Sequence, residues 1–546
     1  MILPTTGIVS AHRTDGNTTS VQIEDWFLTP RQRGNRRTSL PAWCEGNLAR
    51  PIVDGADYFS RLVDEIEALG PGGHLFFTDW RGDPDQLMRD DGPTMVELFR
   101  AAAKRGVVVR GMLWRSHLDI GQFSQEENRE VSEKIEEVGG EVLLDQRVRR
   151  GGSHHQKLVV LRHPDNPQRD VAFAGGIDLC YSRRDDSQHR GDRQAVPMSE
   201  KYGEHPPWHD VQVEIRGPAV GSLDTSFRER WNDPTNPASR RPVAWLVDKV
   251  RKANLNPGPL PPQPPDPQPC GPHAVQVLRT YPSTKPHYPF APDGERSIAR
   301  GYSKAIKRAR RLIYLEDQYM WSIDVARLFA RALKLNPDLH LVVVVPRHPD
   351  VDGALAMAPN QVGRAQALEV CRRAGGERVH VFDVENHEGT PVYVHAKVCV
   401  VDDVWASVGS DNFNRRSWTH DSELSCAVLD ETRDGRSPVD PAGTGDGARV
   451  YARNLRLRLM SEHLDLPDDD PSLVDPVSAI EAIESSANAL DGWYAGGQVG
   501  DRPPGRVRRH YPQKLGVLAR LWATPVYKIV YDPDGRPLRK RMRRAW

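Results

Sequence analysis

The chain has 546 residues, and its 74 Lys and Arg balance its 74 Asp and Glu, so the formal net charge is zero. This balance argues against binding to nucleic acid by bulk electrostatic attraction, although a local basic cleft would be hidden in the sum. Six cysteines without C-x-x-C spacing indicate neither a zinc site nor a disulfide framework. No N-terminal signal pattern or membrane-length apolar run is present, so we expect a soluble, cytoplasmic protein of roughly two to four domains.

Helix and strand signals alternate through the first half of the chain. In DGADYFSRLVDEIEALG, which begins at Asp54, apolar residues recur at helical spacing, and HLFFTDW then indicates a strand. A helix, the strand VVVRGMLW, another helix and the short strand EVLLD follow, and the apolar segment SHHQKLVVL comes next. This alternation predicts an α/β fold with sandwich layering rather than a helical bundle or an all-β protein.

A proline-dense segment, residues 256–272, divides the chain, and the same order of elements then begins again. DGERSIARGYSKAIKRARR predicts a helix, LIYLEDQYMW a strand, LHLVVVVP a second strand and VHVFD a short strand. We therefore predict an N-terminal catalytic lobe over residues 1–255, a semi-rigid linker over 256–272, a C-terminal catalytic lobe over 273–464 and a C-terminal extension over 465–546.

The repeat brings two H-x-K triplets into register. His155 lies 101 residues after Asp54, and His395 lies 102 residues after Asp293, the equivalent aspartate. A single H-x-K on an apolar strand would be explained by a solvated edge strand, but a repeated one favours a functional pair. Alternation along a strand places the histidine and the lysine of each triplet on the same face.

The second half continues with an ordered string of polar residues. His395, Lys397 and Asp402 form H-x-K-x-x-x-x-D, and G-S-x-N-x-N and D-x-E follow, the latter ending in Glu423. This string resembles the signature of the phospholipase D superfamily. In the first half, HHQKLVVL, FAGGIDLCYSRRD and PPWHDVQVEIRGPAVGSLDTSFRERWN are similar to the first catalytic half of true phospholipases D, so the resemblance spans about residues 46–464.

The resemblance implies two similar α/β/α sandwich lobes with mixed sheets, related by a pseudo-twofold axis, with the active site between them. It departs from the family pattern at two positions of the first half. Arg162 stands where the motif has its final aspartate, and Asp178 stands where the second half has Asn412. Because a carboxylate repels phosphate, Asp178 suits the orientation of a lysine better than contact with substrate.

Cleavage of a phosphodiester needs a nucleophile, an acid for the leaving alkoxide and donors to the non-bridging oxygens. The resemblance assigns the nucleophile to His155, which leaves His395 as the acid. Lys157 and Lys397 would bind the phosphoryl oxygens, and Asn412, with Ser410 and Asn414, would add neutral donors. For the acceptors that orient the histidines we predict Glu423 beside His395 and Asp210 beside His155.

Other residues have a substrate-binding and a purely structural explanation. Gln318, like Glu316, Asp79 and Trp80, ends a predicted strand, where α/β folds place their clefts, but a strand cap explains it equally well. Three tryptophans fit a lipid-facing mouth or a buried core: Trp208, Trp80 and Trp321. The basic tail RKRMRRAW fits an anionic membrane surface or a solvated chain end.

Three functions are compatible with these residues. The first is a phospholipase D that hydrolyses phosphatidylcholine-like lipids to phosphatidic acid and a head-group alcohol through a phosphohistidine, with possible transphosphatidylation. The second is a nuclease or other nucleic-acid phosphodiesterase, which zero net charge and the lack of a basic, aromatic-interleaved stripe disfavour. The third is an inactive scaffold, which the intact motif pairs disfavour. We expect a phospholipid partner met peripherally at a membrane and no cofactor or metal required for the chemistry, with a calcium effect on lipid presentation left open.

Overall fold

The computed structural model describes residues 22–115, 125–237, 257–352, 354–513, 515–543 and 546. Three segments of the predicted N-terminal lobe lie outside this description: residues 1–21, 116–124 and 238–255. Residue 256, the first of the predicted linker, and Arg544 and Ala545 of the basic tail also lie outside it. The domain boundaries drawn from the sequence stay a prediction.

The first half forms a mixed sheet in the order β1-β8-β6-β5-β2-β3-β4, in which β2, β3 and β4 are parallel and the other pairs are antiparallel. The strands of the first half are β1 (Cys44–Val53), β2 (His74–Asp79), β3 (Val108–Trp114), β4 (Glu141–Asp145), β5 (Leu158–Arg162), β6 (Val171–Gly175), β7 (Trp208–His209) and β8 (Val211–Arg216), and of these β7 lies outside this sheet. Its helices are α1 (Ile23–Trp26), α2 (Pro30–Arg33), α3 (Gly55–Glu67), α4 (Met95–Lys104), α5 (Gln125–Glu136) and α6 (Ala219–Trp231).

The second half repeats this order as β9-β17-β16-β15-β11-β12-β13, and β18 is added at the far edge. Its strands are β9 (His273–Tyr281), β10 (Glu295–Arg296), β11 (Leu312–Asp317), β12 (His340–Val344), β13 (Val379–Val384), β14 (Tyr393–Val394), β15 (Lys397–Val401), β16 (Trp405–Gly409), β17 (Glu423–Asp430) and β18 (Val507–Arg509). Its helices are α7 (Ser297–Arg308), α8 (Ile323–Leu335), α9 (Ala354–Gly375), α10 (Arg415–Thr419), α11 (Val450–Leu464), α12 (Pro476–Ala495), α13 (Val517–Val526) and α14 (Leu538–Met542).

The predicted α/β class with two similar, mixed-sheet lobes is confirmed. The equivalent strands β1 and β9 pair antiparallel, through Cys44 with Val275 and Asn47 with His273, as a local twofold axis requires. This pairing joins the two half-sheets edge to edge into one 16-stranded sheet, a feature that the sequence did not indicate. Because edge strands left unpaired invite association with other chains, the junction also protects both edges.

Apolar side chains pack in three layers around this sheet. Helices α3, α4 and α5 cover one face of the first half, and α7, α8 and α9 cover one face of the second. Helices α6, α11 and α12 pack with the opposite faces of both half-sheets in one shared core. Polar side chains at the ends of the central strands meet where the two halves join, and they form the site described below.

Arg162, the residue that replaces the motif aspartate, is fully buried and holds the proline segment against the first half. Its guanidinium pairs with Asp170 at 2.6 Å and Asp224 at 2.9 Å. It also donates to the carbonyl oxygens of Pro264 at 3.0 Å and Pro265 at 2.7 Å. In the second half Asp402 instead accepts hydrogen bonds from three backbone N–H groups, those of residues 310–312. Both residues brace the turn side of the motif strand, by opposite charges.

Replacing Arg162 by methionine should destabilise the protein by about 3–5 kcal/mol, because the buried carboxylate of Asp170 would lose its guanidinium and Asp224 would keep only Arg228. The free energy of unfolding in urea measures this loss. Arg169→Met, at an exposed position of the same connection, is the matched control and should change stability by less than about 0.5 kcal/mol. Equal stability of the two variants would contradict a bracing role for Arg162.

Candidate active site

Each histidine motif is attached to the opposite half of the molecule. Strands β7 and β14 pair in parallel, and directly after them the backbone N–H of His395 donates to the carbonyl oxygen of His209 at 2.8 Å. In the same way, the N–H of His155 donates to the carbonyl oxygen of Ser422 at 2.9 Å. Both histidines thus lie just before their motif strands β15 and β5, in segments that cross between the halves, rather than within the strands as the alternation pattern predicted.

His155 faces a carboxylate from the second half. Its Nδ1 lies 2.9 Å from Oε2 of Glu423, and its side chain is 17% exposed. Burial, with the positive charges of Lys157 and Lys397, holds the pKa of His155 well below the ordinary histidine value. The imidazole is therefore neutral at neutral pH, with Nδ1 hydrogen-bonded to Glu423 and Nε2 left for other partners.

His395 faces a carboxylate from the first half. Its Nδ1 lies 2.6 Å from Oδ2 of Asp210, and its side chain is only 6% exposed. Burial, with the charges of Lys397 and Arg183, lowers the pKa of His395 well below the ordinary value. The two histidines are thus equivalent in the repeat, but His395 is surrounded by more cations and less solvent.

These contacts overturn the predicted pairing of histidines with carboxylates. We expected Glu423 beside His395 and Asp210 beside His155. In each of these predicted pairs, the carboxylate and the histidine lie in the same half of the sequence. The structure exchanges the partners, since the parallel pairing of β7 with β14 places Asp210 directly beside His395. The partner of each histidine is set by the pairing of strands across the two halves, which the sequence pattern does not reveal.

Asp210 is held in place by its neighbours on β7 and β8. The backbone N–H of Val211 donates to its Oδ1 at 2.9 Å, and the Trp208 indole N–H lies 3.5 Å from its Oδ2. A Cβ atom at Gly176 would lie 2.0 Å from Oδ1 of Asp210, so this position leaves no room for a side chain. The Trp208 ring packs against the His395 imidazole, with 4.8 Å between centroids.

The two motif lysines are fully buried, and each donates to the backbone carbonyl oxygen of the histidine in its own motif. Nζ of Lys157 lies 3.3 Å from Oδ1 of Asp178 and donates to the carbonyl oxygen of His155 at 3.1 Å. Asp178 thus lies where it orients a lysine. Nζ of Lys397 donates to the carbonyl oxygen of His395. Burial lowers the pKa of Lys397 to about 8, although the charge of Asp210 opposes this shift.

Three predicted neutral donors follow strand β16. Asn412 is 3% exposed, and its Oδ1 has no hydrogen-bond partner within the described part of the chain. Ser410 donates to Oε2 of Glu423 at 2.6 Å, and Asn414 caps α10 by accepting from the N–H of Ser417 at 2.7 Å. Asn412 thus leaves its amide oxygen, an acceptor, without a partner in the described part of the chain, whereas Ser410 and Asn414 are engaged in holding the site together.

An aromatic cavity opens next to His395. The cavity is lined by residues that include Gln318, Tyr319, Trp321, Arg364 and Tyr393. The Gln318 amide donates to the Tyr393 hydroxyl at 2.8 Å, and the Tyr393 ring stacks with the His395 imidazole at 6.4 Å. Of these residues, Gln318 and Trp321 were singled out from the sequence. The mixture of rings and amide groups suits a ligand with an apolar part and a polar part.

Arg183 is a site residue that the sequence analysis missed. Its guanidinium carbon lies 3.8 Å from the centroid of the Trp208 ring, and its charge lowers the pKa of His395. It belongs to the block FAGGIDLCYSRRD, so a family comparison was the available signal.

A second polar cluster lies behind the site, next to Asp210 in the chain. His209 Nε2 lies 2.8 Å from Glu316, which also contacts His463 at 2.8 Å. On its other side, four buried residues bring one donor atom each within 4.8 Å of one another: Asp54, His189, His209 and Glu462. Both oxygens of Asp54 lack a hydrogen-bond partner among the described residues. Although burial acts to lower it, the charge of Asp54 and its neighbours raises the pKa of His189 to about 10, so the cluster is held by ion pairs between protonated imidazole and carboxylate.

Comparison with known proteins agrees with this geometry. A family model described as "Phospholipase D" matches residues 85–325, and one described as "Cardiolipin synthase, PLD-like domain" matches residues 302–434. Phospholipase D alpha 1 of Oryza sativa subsp. japonica is 23% identical over 621 residues, covering 89% of this chain and 73% of its own length. Phospholipase D A of Dictyostelium discoideum is 25% identical over 488 residues, covering 76% of this chain and 35% of its own.

Among solved structures, phosphatidylserine synthase of Haemophilus influenzae matches with a TM-score of 0.49 and 12% identity, covering 74% of this chain and 87% of its own. The paired H-x-K motifs, the repeated strand order and the family models that match both halves lead to one assignment. The chain belongs to the phospholipase D superfamily and is a phosphodiesterase.

Proposed function

We propose that the protein is a phospholipase D that hydrolyses glycerophospholipids of the phosphatidylcholine type to phosphatidic acid and a free head-group alcohol. The observation that supports this most is the arrangement of two neutral histidines, each backed by a carboxylate of the other half, around two buried lysines. The reaction uses a phosphohistidine intermediate, and an alcohol in place of water gives transphosphatidylation.

In the first step, Nε2 of His155 attacks phosphorus and the bond from phosphorus to the head-group oxygen breaks. The Nδ1–H of His155 donates to Glu423, which keeps the Nε2 lone pair available and stabilises the positive charge that forms on the ring. His395 gives its Nε2 proton to the leaving alkoxide, so the head group departs as a neutral hydroxyl.

In the second step, water or another alcohol attacks phosphorus from the side that the head group left. His395, now neutral, takes the proton of the attacking hydroxyl, and the P–N bond to His155 breaks. The enzyme returns to its starting protonation state, and the product is phosphatidic acid or the exchanged phospholipid.

The charges of the site favour these two chemical steps when the substrate is bound. Lys157 and Lys397 would bind the non-bridging oxygens, and the amide NH2 group of Asn412 would add a neutral donor. In the free protein the same lysines keep both histidines neutral. An anionic diester between them offsets these charges, so binding of substrate raises the pKa of His395 and allows it to hold the proton that the leaving group needs.

The substrate class follows from the surroundings of the phosphate site. The cavity beside His395 presents the rings of Tyr393, Tyr319 and Trp321. The curated relatives that match most of the chain are named phospholipases D. A lipid diester, met peripherally at a membrane surface, fits these surroundings better than a polynucleotide.

The first test is the release of choline from phosphatidylcholine vesicles by purified protein, with and without ethanol, beside single- and double-stranded DNA. We expect choline release, phosphatidylethanol when ethanol is present, and a phosphoenzyme that is trapped on acid quenching. His155→Ala should abolish all three, whereas His163→Ala, outside the motif pair, should retain them. DNA cleavage without lipid turnover would replace the lipid assignment, and full labelling of His155→Ala would overturn the nucleophile assignment.

The acid role of His395 predicts a dependence on the leaving group. His395→Asn should reduce kcat by about 10²–10⁴-fold for a choline ester, because a poor leaving group needs protonation. The loss should be much smaller for a p-nitrophenyl phosphodiester, whose phenolate leaves without a proton. Rates of both substrates with both proteins measure the difference, and equal losses would contradict general-acid catalysis by this residue.

The lowered histidine pKa values predict the pH profile. Protonation of His155 stops attack and loss of the proton on His395 stops departure, so kcat/KM should be bell-shaped with apparent pKa values that belong to the pair. Because both pKa values lie below the ordinary 6.5, the maximum should fall on the acidic side of that value. Loss of charge from Lys397, whose pKa is about 8, should steepen the alkaline decline.

Arg183→Met tests the cause of this shift. Removing a cation that opposes protonation raises the pKa of His395, so the alkaline limb should move to higher pH. Arg184→Met, whose guanidinium instead contacts Asp90 at 2.8 Å on the surface, is the matched control and should leave the profile in place. A profile that is flat from pH 5 to 8 while chemistry limits the rate would contradict the two-histidine mechanism.

A further inference from the structure

We propose that the outer face of α13 and the basic segment that follows it, residues 517–543, form a docking surface for an anionic phospholipid bilayer. This inference rests on the proposed lipid substrate and assigns the part of the molecule that meets the membrane. No described helix is both long and apolar enough to cross a bilayer, so the contact we propose lies in the interface.

The apolar side chains of α13 lie on its exposed face. Val517 is 75% exposed, Leu518 81% and Leu521 68%, and Trp522 is 37% exposed beside them. Their spacing of one, four and five residues places them on one side of the helix. Ile529, 73% exposed, extends this face into the π-helical turn Tyr527–Tyr531. An apolar face of this size on a folded protein marks an interaction site.

The opposite face of the helix is fixed to the protein core. Ala523 and Tyr527 are buried against Trp321. The Tyr527 hydroxyl accepts from the N–H of Ser322 at 2.9 Å and donates to Asp532 at 2.9 Å. A Cβ atom at Gly363 would lie 2.4 Å from the Tyr527 ring, so the fit is close. The apolar face is therefore presented outward by a firmly packed element rather than by a mobile chain end.

The net charge of residues 517–543 indicates that the surface they bind is anionic. Residues 517–543 contain seven Lys or Arg and two Asp, a local net charge of +5 in a chain whose total is zero. One of the two aspartates, Asp532, is buried. Arg520, Lys528, Arg539 and Arg543 are exposed around the apolar face. Apolar residues with a tryptophan, bordered by basic side chains, are the pattern of helices that lie in an anionic membrane interface.

A second copy of the chain fits this surface poorly, because two faces of net charge +5 would repel each other across a shared contact. The short helix α14 adds to the lipid-facing character. Leu538 and Met542, both 71% exposed, lie one helical turn apart, and an arginine follows each of them, Arg539 and Arg543. Both apolar groups could enter the acyl boundary while the arginines remain with the head groups.

The docking surface adjoins the proposed site. Trp321, which packs on Tyr527, also stacks with Tyr319 at 3.9 Å, and both rings line the cavity together with Tyr393, whose ring stacks with the His395 imidazole at 6.4 Å. A bilayer in contact with α13 therefore lies beside the mouth of the cavity. Lipid reaches the histidines without leaving the interface for bulk water.

The test compares binding to vesicles with turnover of monomeric substrate. Wild-type protein should bind phosphatidylcholine–phosphatidylserine vesicles (70:30) more tightly than phosphatidylcholine vesicles, and added salt should weaken that binding. The double variant Leu518→Ser/Leu521→Ser should bind at least about tenfold more weakly, because two leucines no longer enter the apolar region. Leu335→Ser, at an equally exposed leucine (68%) on α8, is the matched control and should bind as wild type.

Turnover of a short-chain phosphatidylcholine below its micelle concentration separates this inference from the proposed function. The double variant should cleave the monomer within about twofold of wild type and lose about tenfold or more on anionic vesicles. Failure of the wild type to cleave both the monomer and the vesicles would overturn the proposed function. Monomer cleavage with unchanged vesicle binding by the double variant would overturn the docking surface alone, as would a wild-type dimer that the double variant dissociates in sedimentation equilibrium.

Discussion

The site depends on the exchange of histidine partners between the two halves. Neither half contains a complete His–carboxylate pair, since His155 is oriented by Glu423 and His395 by Asp210. The backbone repeats this exchange, because each histidine N–H is bound by a carbonyl group of the other half. Assembly of the halves is therefore the same event as assembly of the site. A duplicated fold that joined its halves in another way would retain both motifs without forming either pair.

The exchange also carries an electrostatic cost that the surroundings offset. Two lysines and two histidines converge on one buried region, and burial alone disfavours each charge. Asp178 lies against Lys157, and Asp210 contributes to the charge state of Lys397, so each cation has a carboxylate nearby. The histidines remain neutral until an anion arrives. A bound phosphodiester supplies negative charge to this cluster of positive and neutral groups. This is a physical reason why the reaction needs positive side chains so close together.

Much of this arrangement could be predicted from the sequence, and the part that could not has a clear physical origin. Hydrophobic periodicity predicted the repeated α/β order, and the spacing from Asp54 to His155 and from Asp293 to His395 identified the motif pair. The partners of the histidines were predicted wrongly, because the pairing of β7 with β14 depends on two segments about 185 residues apart. Local patterns do not encode such a contact. The cluster of His189, His209 and Glu462 escaped notice for the same reason.

The remaining asymmetry concerns which histidine attacks. The repeat makes His155 and His395 equivalent, yet their electrostatic surroundings differ. The carboxylates of Asp178 and Asp421 act to raise the pKa of His155, against the effect of burial and the two lysines. Around His395, the charges of Lys397, Arg183 and Lys157 all act to lower the pKa. The first environment favours a ring that gains positive charge when it bonds to phosphorus, and the second favours a ring that releases its proton. This difference supports His155 as nucleophile and His395 as acid, and it arises from the positions at which the two halves of the duplication have diverged: Asp178 stands where the second half has Asn412, and Arg183 follows it in the same loop.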